Sequence, residues 1–382
     1  MTQGGFPDIP LFREIQRLLQ SQGPVNQEIA RQVGQAIAAG GEADPGASSE
    51  ETRSFQESVR ASEEIVAGYS RIPVAEPART KPLTRAQWVA ETIPAWEWLL
   101  ASLSAVMGEQ LSALGPEPEQ GQAQMIREAM GQIAPLLLGI QLGTLAGHLS
   151  LEVLGRHDFP VPRDDDRRLF FVPGNIAKVA EEYDLAPGSL MTWIALRGAT
   201  LSLINEHAPW LQRYQKALLT ELVESIELDA AEAERRMLDL QTKGFEMMQT
   251  GMGAEQMLPI LPMERHSRAQ DRVKSLIALL EGYSKHVTRS VAGSLIGDQA
   301  PRIEEGLVRR RAVPREGRKL LSAVLGISFD RQLEDAGETF CNAVVSLHGM
   351  AALNRVWEAP DNLPSASEIR DPFTWIERVL QD

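Results

Sequence analysis

Histidine and cysteine, the usual zinc ligands beside carboxylates, are few in this sequence. The histidines are His148, His157, His207, His266, His286 and His348, and the single cysteine is Cys341. No two histidines stand at i and i+4, the spacing that brings two imidazoles to one helix face and one zinc ion. Glu206-His207 closes a helical stretch before Pro209, where a cap or surface role fits better than ligation. Glu264 and His266 fall in a Gly/Met/Pro-rich segment, and His286 lies at a poor i+5 offset from Glu281. There is no G-x-S-x-G elbow, no P-loop and no G-x-G-x-x-G after a strand. A Ser-His-Asp triad needs no closeness in sequence, and nothing points to one. Asp164-Asp165-Asp166 lacks the alternating ligands and turn glycine of a hard-cation loop and reads as solvated. Met247, Met248, Met252 and Met257 read as core filler or loop anchors rather than a partner groove.

One charge stands out. In LMTWIALRGATLSLINEHAPWL, Leu190, Trp193, Ile194, Leu201 and Ile204 fall at i, i+3, i+4, i+11 and i+14, a single apolar stripe. Its missing member is Arg197. Leu196, Ala199 and Leu203 make the adjoining face apolar too, so this helix is expected to be buried nearly all round. A guanidinium keeps its proton, so Arg197 must find a carboxylate or several carbonyls, or snorkel to water. Glu281 and Glu152 both intrude on apolar helical faces and are the candidate partners.

The elements that hold these residues are mostly helical by periodicity. A short amphipathic helix is expected over 9–19, stopped by Gly23-Pro24, and Asn26 can cap the next, through Ala39. Ser49 opens a polar helix to about Tyr69. Thr84 starts a long helix that Gly115-Pro116 breaks. Residues 133–147 carry Gly139, Gly143 and Gly147 at every fourth position, a face that lets another helix come close. Their apolar run, cut by Gln141, falls short of the ~20 residues of a membrane span. Leu169 to Val172 reads as a short strand in a loop region. Ser189 can cap the helix that carries Arg197.

Composition is ordinary for a globular chain: 382 residues, 43% hydrophobic, 24% charged. A net charge of −14 disfavours nucleic acid and anionic membranes. One cysteine allows no internal disulfide, and the first residues lack a basic-then-apolar leader; a soluble, cytoplasmic protein is expected.

Several segments resemble the bacterial zincin-like metallopeptidase family, some of whose members are labelled hydrolases or associated with deazaflavin-coenzyme biosynthesis. They are GPVNQEIARQV (23–33), TRAQWV (84–89), LGIQLGTLAGHLSLEVLGRHDFPVP (138–162), FFVPGNI (170–176), TWIALRGATLSLINEHAPWL (192–211), LLEGYSKHV (279–287) and the C-terminal stretch 335–380. The resemblance implies a mainly α, multi-helix zincin-like architecture with a few short β segments. It places an N-terminal helical region, 1–80, against a zincin-like body, 81–382, in one continuous unit.

Typical members carry His-Glu-x-x-His where this chain has Arg197-Gly198-Ala199-Thr200-Leu201. In that motif the histidines hold zinc and the glutamate is general base on zinc-bound water. Aligned on Leu196 and Pro209-Trp210, Arg197 and Leu201 replace the histidines and Gly198 the glutamate. Glu281, at the likeness's third-ligand segment, remains, with Tyr283 two residues on. The resemblance therefore implies a degenerate site without zinc, cofactor or catalytic residue, and a vestigial cleft of Arg197, Glu281 and Tyr283. A binding or scaffolding pseudoenzyme is expected, its partner a protein or a small anionic ligand. The alternatives are a hydrolase with a relocated site and anion binding in the former cleft.

Overall fold

Among the described residues, the first three helices start at side chains that cap them. The computed structural model describes residues 25–40, 43–113, 120–225, 268–327 and 331–380. The expected helix at 9–19, the methionine patch, Glu264 and His266 lie outside them. Helix α1 (Gln27–Ala38) is capped by Asn26, whose Oδ1 accepts from the Ile29 amide at 3.0 Å. Helix α2 (Ser49–Ser70) begins with a Ser48–Glu51 capping box, and α3 (Arg85–Ala95) with a Thr84–Gln87 box. The long helix expected from Thr84 is instead two. Pro94 sits one residue before the end of α3, lacks the amide to continue the ladder, and α4 (Glu97–Ala113) starts afresh beyond Trp96.

Helix α5 (Gln120–Ser150) closes at Ser150. Asn175 Nδ2 donates to the carbonyls of Ser150 and Val153 at 2.8 and 2.7 Å, satisfying acceptors there. Strand β2 (Leu169–Phe171) appears where expected, but its partner β1 (Thr80–Pro82) lies in a stretch that reads as loop; they pair in parallel. Helices α6 (Pro173–Glu182), α7 (Pro187–His207) and α8 (Leu211–Glu224) follow. Ser189 does not cap α7. Proline at its first position, with φ fixed for a helix, moves the start back to Ala186. Then come α9 (Arg268–Ile296), α10 (Gln299–Ala312), α11 (Glu316–Leu325), α12 (Arg331–His348), α13 (Met350–Leu353), α14 (Ala366–Arg370) and α15 (Pro372–Leu380). The fold is mainly α, and no described helix is long and apolar enough to cross a membrane.

Two sets of packed helices frame the site. In one, α7 lies between α2 and α9, and α9 packs in turn on α12. In the other, α1 lies along α5. Both use glycine for close approach. A methyl group on Gly143 would strike the Ala30 carbonyl, and one on Gly147 would sit 2.7 Å from Ile37 Cβ. At the α9–α12 crossing, a methyl on Gly282 would strike the Gly337 backbone, and one on Gly337 the Ala278 carbonyl.

The crossing yields a clean pair of substitutions. Gly337→Ala is expected to cost about 1–3 kcal/mol or more through overpacking. Gly293→Ala, in α9 with nothing within 4 Å of the added carbon, is expected to gain about 0.5–1 kcal/mol. Urea unfolding of both variants checks this; equal effects would mean that the crossing is looser than described.

Candidate functional site

Arg197 projects from α7 among the buried Leu190, Trp193, Ile194, Leu201 and Ile204, with its side chain only 14% exposed. Its Nη2 donates to Glu281 Oε1 at 2.6 Å and to the His157 carbonyl at 3.0 Å. Glu281 comes from α9, with its side chain 16% exposed. The His157 carbonyl comes from the loop between α5 and β2. That loop is held by the Asp164 amide on the Ala95 carbonyl (3.0 Å), Gln212 Nε2 on the Arg163 carbonyl (2.8 Å) and Arg163 Nη1 on Thr92 Oγ1 (2.6 Å). Three of its aspartates serve ion pairs: Asp164 with Lys216, Asp165 with Arg156 and Arg163, Asp166 with Arg168.

Burial penalises both charges of the central pair, and each offsets the penalty for the other. Burial pulls the Arg197 pKa down, but the Glu281 charge and hydrogen bond outweigh it and leave it raised. Burial pushes Glu281 up; Arg197, with Arg311 and Arg318 beyond, overcomes this and holds the carboxyl below its ordinary value. His157 is driven well below the ordinary imidazole range, first by burial and then by Arg156 and Arg197, so its ring is neutral.

The pair stands where two cavities meet. One is walled by Leu154, Phe159, Trp193 and Leu307, and also carries Arg310, Arg311 and Arg318. The other borders Leu201, His157, Asn205, Glu206 and Gln212. Gly198 faces Leu169, with room for ordinary contact. Tyr283 turns away: it is fully buried, its hydroxyl donates to Asn354 Oδ1 at 2.7 Å, and its ring meets Trp357 edge-on. Glu152, the other acid considered for Arg197, accepts from the Gly317 amide at 2.8 Å and lies 3.8 Å from Arg318. Sequence reasoning missed Arg310, which shares the signature of Arg197: it continues the buried line Ile303, Gly306, Leu307 of α10. It also missed His157 Nε2 and Glu206 Oε2, both buried and without a hydrogen bond.

A fold of this kind with a cleft over a helix-borne ion pair belongs to a recognisable class. The sequence profile of the zincin-like metallopeptidases matches residues 25–376, and the chain belongs to that family. Among solved structures, a crystal structure from Chloroflexus aurantiacus, described as a candidate hydrolase with a novel fold, is similar at 26% identity with a TM-score of 0.65. The match covers 94% of this chain and 99% of that one. No curated protein matches the chain.

The zinc associated with such a family does not fit the residues at this place. Arg197, Gly198 and Leu201 offer no lone pair to a cation, and the guanidinium already holds Glu281 Oε1. Among the described residues, no three His, Cys, Asp or Glu side chains converge to hold a metal ion.

Removing one partner strands the other's charge. Glu281→Ala is expected to cost about 3–5 kcal/mol, and the double change Arg197→Met/Glu281→Leu clearly less, in urea unfolding. The pH dependence has a definite sign. The folded carboxyl lies below its unfolded value of about 4.3, so its contribution is complete above that range and is lost as pH falls toward the folded value. Glu281→Ala should therefore flatten the acid limb of the stability–pH curve. An unchanged limb would remove Glu281 from the account.

Proposed function

We propose that this chain is a non-catalytic zincin-like protein, a pseudo-metallopeptidase that works by binding or scaffolding and uses no metal or other cofactor. The observation that carries this reading is the 2.6 Å contact between Arg197 and Glu281 in the cleft. A fixed positive charge stands where the family resemblance puts the first zinc ligand, on the acid that the resemblance makes the third. A cation brought there would meet repulsion from Arg197 and would have to displace it from Glu281. The cleft then serves a protein segment or a small anionic ligand.

A second reading, hydrolysis from a relocated site, draws on the likeness to the Chloroflexus aurantiacus structure described as a candidate hydrolase. His157 Nε2 and Glu206 Oε2, unpartnered on one cavity, supply a specific place for it. Glu206 is raised above the ordinary carboxylate range, first by burial and then by Glu63, as a proton donor would need.

Metal analysis of the purified full chain, joined to a peptide and ester hydrolysis screen, separates the two. The expected result is substoichiometric zinc and no turnover. Stoichiometric zinc would sink the pseudo-metallopeptidase reading. Turnover in zinc-free protein that His157→Phe abolishes would favour the relocated site.

A further inference from the structure

The end of α10 holds a buried cation with no ion-pair partner among the described residues. Arg310 is 6% exposed, yet no carboxylate oxygen among the described residues lies within 4.0 Å of its nitrogens. Its Nη2 donates to the Glu152 carbonyl, and its Nε is buried without an acceptor. Its neighbours on the same run are served: Arg309 pairs with Glu305 in solvent, and Arg311 with Glu334. Two acids lie nearby, both engaged by backbone amides. Asp158 Oδ2 accepts from the amides of Leu154 and Gly155, and Glu152 Oε1 from that of Gly317. Burial, chiefly, and then the charges of Arg318 and Arg315 against the pull of Asp158, lower the Arg310 pKa to about 10.

This guanidinium, offset only at a distance by the charges of Asp158 and Glu152, borders the cavity that holds Arg197, Arg311 and Arg318. The enclosed space there is about 50 Å³, room for a small oxyanion group, and it opens to solvent. Leu154, Phe159, Trp193 and Leu307 line it beside the four arginines; its acids are Glu281 and Glu334, paired with Arg197 and Arg311, and Asp158, held by backbone amides. Forked N–H donors suit the paired oxygens of a carboxylate or phosphate.

We propose that Arg310 and Arg318 bind a small oxyanion group, carboxylate or phosphate, carried on a ligand with an apolar body. The anion accepts from the Arg310 and Arg318 guanidinium groups that line the cavity, and the apolar body lies along the apolar residues toward the open mouth. This site gives the binding reading above its ligand class and rests on it.

The test titrates full-length protein in low-salt buffer with sodium phosphate and, separately, sodium acetate, read by calorimetry and melting temperature. Saturable binding of at least one anion at millimolar concentration is expected, with a raised Tm. Binding of phosphate alone or acetate alone supports the site and names the oxyanion. Arg318→Gln, at the half-exposed rim, should weaken binding roughly tenfold while the chain stays folded. Arg310→Lys should weaken it similarly by losing the fork. Arg309→Gln, equal in charge change but turned to solvent, should leave it unaltered. No saturable binding of either anion, or equal weakening by Arg309→Gln and Arg318→Gln, overturns the proposal. Zinc content is read separately: zinc-bearing protein that still binds anions would fell the pseudoenzyme reading alone, and zinc-free protein that binds neither would fell this one alone.

Discussion

A guanidinium cannot be neutralised, and the centre of this fold is arranged around that constraint. A lysine or histidine in the apolar stripe of α7 could give up its proton and lie there uncharged. Arg197 has no such escape, so an acid must come to it from another element and a carbonyl from a third. Glu281 on α9 and His157 in the loop before β2 meet that need at one nitrogen of the guanidinium. The pair is thereby a register mark as well as an ion pair. It is satisfied only when α7, α9 and the loop hold one mutual placement.

What fixes that placement is chiefly shape. Gly282 follows Glu281 directly, and at the crossing with Gly337 the two helix backbones touch. That contact sets the rotation of α9 about its axis and turns Glu281 toward α7 and Tyr283 toward Trp357. Lys285 and Arg289 continue the lock by pairing with the buried Glu338 of α12. The loop is fixed by hydrogen bonds instead, with Asp165 held to about pH 2 against its own burial by Arg156 and Arg163. Packing thus aims the acid, and polar contacts aim the carbonyl.

The sequence made local features legible and left long-range ones obscure. Asn26 and Thr84 cap the helices that their types suggest, because a cap bonds within three residues. The stripe through Leu190 and Ile204 identified Arg197 as a buried charge, since periodicity alone reports which face is apolar. Which acid meets it depends on helix crossings that no single stretch encodes; by periodicity Glu152 and Glu281 looked alike, and only the family resemblance put Glu281 first, while Gly317 and Arg318 hold Glu152. Strand β1 was hidden because Thr80, Lys81 and Pro82 are half-buried and carry no alternating pattern; only pairing with Leu169 to Phe171 makes them a strand. Arg310 carried the same signal as Arg197, but its run of three arginines resembles a solvated helix end.

The glycine seat of α1 on α5 bears on how the chain assembles. Side-chain packing can form by degrees, with rotamers adjusting as helices slide together. Backbone lying on backbone has no such slack: Gly143 either receives the turn at Ala30 or leaves a gap. The two helices are separated in sequence by α2, β1, α3 and α4, so loop-closure entropy is spent before any of this contact is returned. Such a joint behaves like a latch rather than a zipper. By that argument α1 is expected to dock after the elements between have folded, registering the completion of the body instead of nucleating it.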